Sequence, residues 1–305
     1  MQQILLEKLN KVNDLAKASK IGRFHSRPLR YSFAILYKTV VYPLWRKGYR
    51  TKTPVFWGAS MQVVLPAATD IYLIGGKSHD SEIRLARFLI RHLQPGDTFL
   101  DVGAHFGYFS LLASAIVGPA GQVFAFEAAS STFAILQQNT HNINNINILN
   151  RAVAAEPGRV SFYEFPVLYS EYNAMNARQY ARQSWYARFQ PVRREVQAQP
   201  LDDFIKEVNI SPSMIKIDVE GAENQVIEGS EQLLKNTAPI IIMEYTHPDR
   251  HNTAHREALA ALQTAGYQAH LIDANGDLQP CNDVEAHLVR SELESDNAVF
   301  VKQAQ

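Results

Sequence analysis

A single cysteine, Cys281, stands in the 305 residues, which excludes an internal disulfide framework and a cysteine-rich metal cage. One unpaired thiol fits a reducing compartment, and a cytoplasmic protein is expected. No secretory leader is expected either. The apolar run YSFAILYKTVVYPLW (31–45) is interrupted by Lys38 and Pro43 and falls short of the roughly 20 residues a membrane span needs. Acidic side chains are scarce at the start: residues 1–60 hold 12 Lys and Arg against only Glu7 and Asp14. A basic arm on an acidic body suits contact with an anionic surface, either lipid or a nucleotide-linked sugar, or a helical face packed on that body. With Arg46, Lys47 and Arg50 just behind it, the 31–45 run could lie in a membrane interface, at the inner face of the membrane. The balanced total charge gives no reason to expect a nucleic-acid partner. Oligomeric state is not legible, and there is neither an internal repeat nor a low-complexity tract.

What is present begins at FLDVGAHFG (99–107). Phe99 and Leu100 close an apolar strand, Asp101 ends it, Gly103 and Gly107 bracket a tight loop, and YFSLLASAIV follows at helical spacing. Such a loop lets a ligand approach the backbone closely. Twenty residues after Gly107 a second short strand, VFAFE (123–127), ends in Glu127, where a carboxylate can take the hydroxyls of a ribose. The third glycine of a dinucleotide fingerprint is missing. The pair therefore reads as a nucleoside site and argues against a nicotinamide-dependent oxidoreductase. A non-catalytic nucleoside-binding scaffold is a further reading.

The chain divides at about residue 75. Residues 1–75 read as an accessory segment with two helices, at 1–20 and about 31–47, and short strands in PVFWGASMQVVLP and DIYLIGG. In the first helix Ile4, Leu5, Leu9, Val12 and Leu15 share a face. From 76 to 305 strands and helices alternate, so the fold class is α/β, a mostly parallel sheet with helices on both faces and an antiparallel edge near the end. The tract 166–198, rich in Tyr, Asn, Arg and Gln, interrupts this order and reads as an inserted lid. Its Tyr169, Glu171, Tyr172, Asn173 and Trp185 suit a sugar, with aromatic faces for the ring and polar tips for hydroxyls.

FLDVGAHFGYFSLLAS, VFAFEAASSTFAILQQNTHN, IKIDVEGAENQVIEGS and IIIMEY together resemble the FkbM family of S-adenosylmethionine-dependent methyltransferases, over roughly residues 80–270. The chain departs where the family commonly has Asn (here His105) and Pro (here Ala128). The resemblance implies a Rossmann-like class I methyltransferase fold, S-adenosylmethionine as cofactor, and O-methylation of a hydroxyl on a sugar, glycan or glycosylated small molecule. It implies that Asp101, Gly103, Ala104, His105, Gly107, Tyr108 and Phe109 shape the loop around the methionine moiety. Glu127 and Ala128 would then stand at the ribose and Asn150 and Ala152 beside the adenine. An alcohol acceptor must lose its proton, so a base is needed within hydrogen-bond reach. Asp218, at the end of the strand MIKIDVEG, is the first candidate and should also face the cofactor; Glu220, Glu244 and His247 follow. Glu220 could instead cap the next helix. The set Asp218, Glu220 and Glu244 could bind Mg²⁺, but the site is read without a metal.

Overall fold

The computed structural model describes residues 1–250 and 252–302. Its first part is helical. α1 (Gln2–Lys17) buries Leu5, Leu9 and Val12 while Ile4 stays exposed. α2 (Lys20–Ser26) starts at Ser19, whose hydroxyl accepts from Gly22 N. A longer helical stretch follows, made of α3 (Pro28–Leu36), one π-helical turn (Tyr37–Val41) and α4 (Tyr42–Trp45). Proline at the first turn suits α3, whose leading N–H would have no partner. β1 (Tyr49–Pro54) and β2 (Ser60–Leu65) pair antiparallel. DIYLIGG, expected as a strand, is helix α5 (Thr69–Ile74). Asp70 accepts from Ile71 N within its first turn, and Gly75, at φ 77°, ends it; the segment is too short for periodicity to separate the two states.

The α/β body follows in regular order. α6 (Asp80–His92) is strongly amphipathic, with Asp80 and Glu82 in its first turn and Arg91 and His92 in its last, matching the helix dipole. Then come β3 (Thr98–Val102), α7 (Tyr108–Val117), β4 (Gln122–Phe126), α8 (Ser130–Thr140) and β5 (Ile146–Leu149). The chain breaks at Asn150–Arg151 after β5, and β6 (Ala152–Val153) joins a separate three-stranded sheet with β7 (Gly158–Glu164) and β8 (Val192–Gln199), in order β6-β8-β7. The end of the expected lid, 166–198, is therefore strand β8, held by seven paired residues to β7. Short 3₁₀ turns at Val167–Tyr172 and Ala177–Tyr180 mark the irregular remainder.

α9 (Leu201–Val208) leads to β9 (Met214–Ile217). The helical stretch that follows is broken at Gly229–Ser230 into α10 (Glu223–Glu228) and α11 (Glu231–Asn236). β10 (Ile240–Thr246), α12 (Thr253–Thr264), β11 (Tyr267–Ile272), β12 (Leu278–Pro280), α13 (Val284–Arg290) and β13 (Ser295–Lys302) complete the chain. The main sheet has eight strands in order β12-β11-β13-β10-β9-β3-β4-β5. β5, β4, β3, β9 and β10 run parallel; β13 lies antiparallel between β10 and β11, the antiparallel edge read from the sequence. Strands such as Met214–Ile217, buried at every position, are uniformly apolar apart from Lys216, as expected under helices on both faces. One apolar core joins Leu5, Leu9 and Val12 of α1 to Ile83, Phe88 and Leu112 of the body.

Candidate functional site

The carboxyl ends of β3, β4, β9 and β10 open onto a cavity of about 530 Å³. At the centre the loop after β3 is fastened to both neighbours. Gly103 N and Ala104 N donate to Phe126 O of β4, and Asp218 N donates to Val102 O. Gly103 has φ 88°, and a Cβ there would sit 1.8 Å from Asp218 O. Glycine is required on both counts. Gly107, at φ 87°, precedes α7 and stands outside the cavity wall, whereas Ala104, His105, Tyr108 and Phe109 line it.

Glu127 is buried and accepts three hydrogen bonds: His105 N to Oε2 at 2.8 Å, with Ala129 N at 2.9 Å and the Thr132 hydroxyl at 3.1 Å to Oε1. A carboxylate has about four acceptor positions, so one remains on Oε2 for a ligand hydroxyl. Burial raises its pKa to about 7, against the pull of these donors. Ala128 and Ala152 line the cavity. Asn150 does not; its amide donates to Glu127 O and Ala128 O and holds the loop in place, while Arg151 takes the wall position.

His105 stands where the family commonly has Asn. At φ 50° it occupies the left-handed region, tolerated by His and Asn better than by most side chains. Its ring stacks on Phe106 with centroids 3.8 Å apart, and Nε2 lies 3.0 Å from the Ser170 hydroxyl. Burial, with Lys77 nearby, lowers its pKa to about 3, so the ring is neutral at physiological pH and bridges the loop to the lid.

On the opposite wall, Lys216 is a buried cation between two acids: Asp218 Oδ2 at 2.9 Å and Asp101 Oδ1 at 3.8 Å. Asp101 also accepts from Ser110 Oγ, but among the described residues its Oδ1 has no hydrogen-bond partner. Burial works against ionisation of Asp218, and Lys216 overcomes it, holding the carboxyl below its usual range. Glu244 behaves oppositely: burial first, then the Asp218 charge, pushes it up to about 8, although Ser295 Oγ donates to it at 2.7 Å. Glu220, at φ 57°, is also raised well above its usual range, by burial and then by Glu244. Oxygens of Asp218, Glu220 and Glu244 lie within 4.8 Å of one another, close enough to share a divalent cation or a proton. His247 stands outside the wall, 3.7 Å from Asp249.

Glu220 does not cap the following helix. That helix begins at Glu223 with no side-chain cap; Glu223 instead accepts from Gly221 N at 3.1 Å and braces the preceding turn, while Glu220 ties the lid down: Tyr180 OH donates to its Oε2 and Gln179 Nε2 to its backbone oxygen, both at 2.6 Å. Within the lid, Tyr169 and Tyr172 stack on Trp185, with centroids 4.2 and 5.1 Å apart. Tyr169 and Trp185 thereby build the lid without lining the cavity; Glu171, Tyr172 and Asn173 do line it. Asn173 Nδ2 is buried without a hydrogen-bond partner among the described residues.

Several wall residues escaped the sequence reading. Lys77, paired with Glu82 at 2.7 Å, and Asp70 come from the segment around residue 75, and Met61 and Ile71 from the accessory part. Lys216 had a signal, a lysine inside the apolar strand MIKI. Tyr180 and Gln179 had none, because their partners lie about 40 residues away.

A family profile described as the methyltransferase FkbM domain covers residues 101–269. Curated relatives include methyltransferase 1 of Beauveria bassiana (strain ARSEF 2860), 29% identical over 44% of this chain and 59% of that protein. Another is 31-O-demethyl-FK506 methyltransferase FkbM of Streptomyces tacrolimicus, 32% identical over 49% of this chain and 66% of that protein. The chain thus spans about three fifths to two thirds of the length of these relatives. Among solved structures it is similar to methyltransferase FkbM from Methylobacillus flagellatus KT (15% identity, TM-score 0.44, 69% of this chain and 44% of that one). It is also similar to an S-adenosylmethionine-dependent O-methyltransferase from Thermotoga maritima (14% identity, TM-score 0.40, 86% and 81%).

Proposed function

The chain belongs to the FkbM methyltransferase family, and from that premise we propose that it is an S-adenosylmethionine-dependent O-methyltransferase acting on a hydroxyl of a sugar, glycan or glycosylated small molecule. The residues fit the cofactor. Asp101 Oδ1, which faces Lys216 but accepts no hydrogen bond among the described residues, can take its amino group, the free position on Glu127 Oε2 a ribose hydroxyl, and Ala152 the edge of the adenine. When bound, the cofactor supplies an electrophilic methyl group on a sulfonium, which becomes a neutral thioether as the methyl leaves. Carboxylates outnumber lysines and arginines along the cavity wall, which suits a cationic donor and disfavours a nucleic-acid acceptor.

The observation that carries the reading is Asp218 just past the end of β9, paired with Lys216 at 2.9 Å and hydrogen-bonded through its N–H to Val102 O at the end of β3, beside the glycine loop. It can accept the proton of an acceptor hydroxyl as that oxygen bonds to the methyl carbon. Lys216 keeps Asp218 charged until then. Glu220 and Glu244, both pushed up, hold the protons that three crowded carboxylates cannot all give up. Glu171, Tyr172 and the unpartnered Asn173 amide line the acceptor side, offering an aromatic face and polar tips to a sugar. The test is transfer of labelled methyl from S-adenosylmethionine to glycan fractions and to glycosylated and non-glycosylated small molecules. Label in the glycosylated pools supports the reading; label confined to sugar-free acceptors overturns the acceptor class.

A further inference from the structure

The helical stretch Pro28–Trp45 touches the body through few side chains, with Ala34, Tyr37 and Tyr42 buried. Its other side is apolar and open to solvent. Leu29, Phe33, Leu36, Val40 and Leu44 recur every three to four residues, and Leu29 is 86%, Leu44 75% and the terminal Trp45 71% exposed. Single exposed apolar residues are ordinary; a run of them along one helix marks a contact surface. Charge identifies the contact. Between Asp14 and Asp70 the sequence has no carboxylate side chain, and Lys20, Lys38, Arg46, Lys47, Arg50 and Lys52 are exposed around the helix.

A hollow at the head of the helix is lined by Arg27, Pro28, Leu29, Arg30 and Pro54. Among the described residues, Nη1 of Arg27 is buried without a hydrogen-bond partner. The guanidinium of Arg30 stands beside it, and an anion would satisfy the pair. An unsatisfied guanidinium, beside a leucine that stands in water, matches a phosphate headgroup next to acyl chains. A tryptophan at the other end is a common interfacial anchor. Among the described residues no helix is long and apolar enough to cross a membrane, so the surface would lie on a bilayer rather than span it.

We propose that residues 20–52 form a membrane-docking surface that lays the Pro28–Trp45 helix into the headgroup zone of an anionic bilayer. The same helix holds the lid: Leu168 N donates to Tyr42 OH at 3.3 Å, and the Arg46 guanidinium lies 5.6 Å from the Phe189 ring centroid. Docking therefore sets the lid side of the cavity close to the lipid. This inference goes beyond the reading of the cavity and does not depend on it.

The test is co-sedimentation of the full chain with vesicles of phosphatidylcholine alone and of phosphatidylcholine with phosphatidylglycerol, beside the variants L36E/L44E and K47Q/R50Q. All four positions are exposed, so unchanged thermal midpoints are expected. The wild type is expected to sediment with the anionic vesicles only. L36E/L44E should bind at least tenfold more weakly, and K47Q/R50Q about fivefold more weakly per charge removed. Trp45 fluorescence should shift to the blue on binding, and the shift should vanish in W45F. Failure to sediment, equal binding to both vesicle types, or undiminished binding of L36E/L44E overturns the proposal. So does a concentration-dependent dimer that L36E/L44E dissociates in the absence of vesicle binding, which would put a second copy of the chain on this face.

Discussion

Asp218 and Glu127 carry the sharpest tests at the level of single side chains. Asp218→Asn keeps the shape and removes the charge, so kcat should fall by about 10²–10⁴ while affinity for S-adenosylhomocysteine stays within about threefold. Isothermal titration beside single-turnover kinetics separates the two. Glu127 predicts a pH dependence. Its folded pKa of about 7 lies above the usual carboxylate value, so its contribution to stability is complete below about pH 4.5 and is lost as the pH rises through about 7. A ribose hydroxyl donating to Oε2 prefers the ionised form. Affinity for S-adenosylhomocysteine should therefore rise about tenfold between pH 6 and 8, and Glu127→Gln should abolish the rise. Both could be placed on the cavity wall from the sequence because each follows a short apolar strand and ends it with an acid. The limits of that logic are equally physical. The resemblance implied Asn150 beside the adenine, and its amide braces the loop by donating to Glu127 O, while Lys77 belongs to a turn with no pattern to mark it.

Among elements, those of the body were readable because period and punctuation agreed: β3, α7, β4 and β10 combine an apolar run with a glycine or an acid at the end. The lid resisted, since an aromatic-rich tract looks alike whether its rings face a ligand or one another. Tyr169 and Trp185 chose one another. Strand β8 was hidden inside that tract because Arg193, Arg194 and Glu195 leave it little apolar signature. The junction of β3 with β9 yields the clearest element-level prediction. Gly103→Ala must move Asp218 O as well as hold a strained φ, whereas Gly118→Ala, also at positive φ, meets nothing within 4 Å. Thermal unfolding should show a loss of about 3 kcal/mol or more for Gly103→Ala and clearly less for Gly118→Ala.

Across the whole molecule, the boundary near residue 75 divides the sequence pattern more sharply than it divides the packing. Leu9 of α1 is fully buried in the core that also holds Phe88 and Leu112. Leu9→Ala should therefore cost about 2–5 kcal/mol and lower the midpoint of one cooperative transition, not detach an independent early one; differential calorimetry distinguishes these. The charge asymmetry was plain in the sequence, but its use was not, because composition does not say which face of a helix is left uncovered.

Three bonds pin the lid to the floor of the cavity: His105 to Ser170, Tyr180 to the Glu220 carboxylate, and Gln179 to the Glu220 carbonyl. They act as latches, and a latch sets a timetable. If spent cofactor leaves only after they part, the first turnover runs ahead of all later ones. Rapid quench should then record a burst of methylated product, and Tyr180→Phe, with one latch removed, should shrink the burst while raising the steady rate.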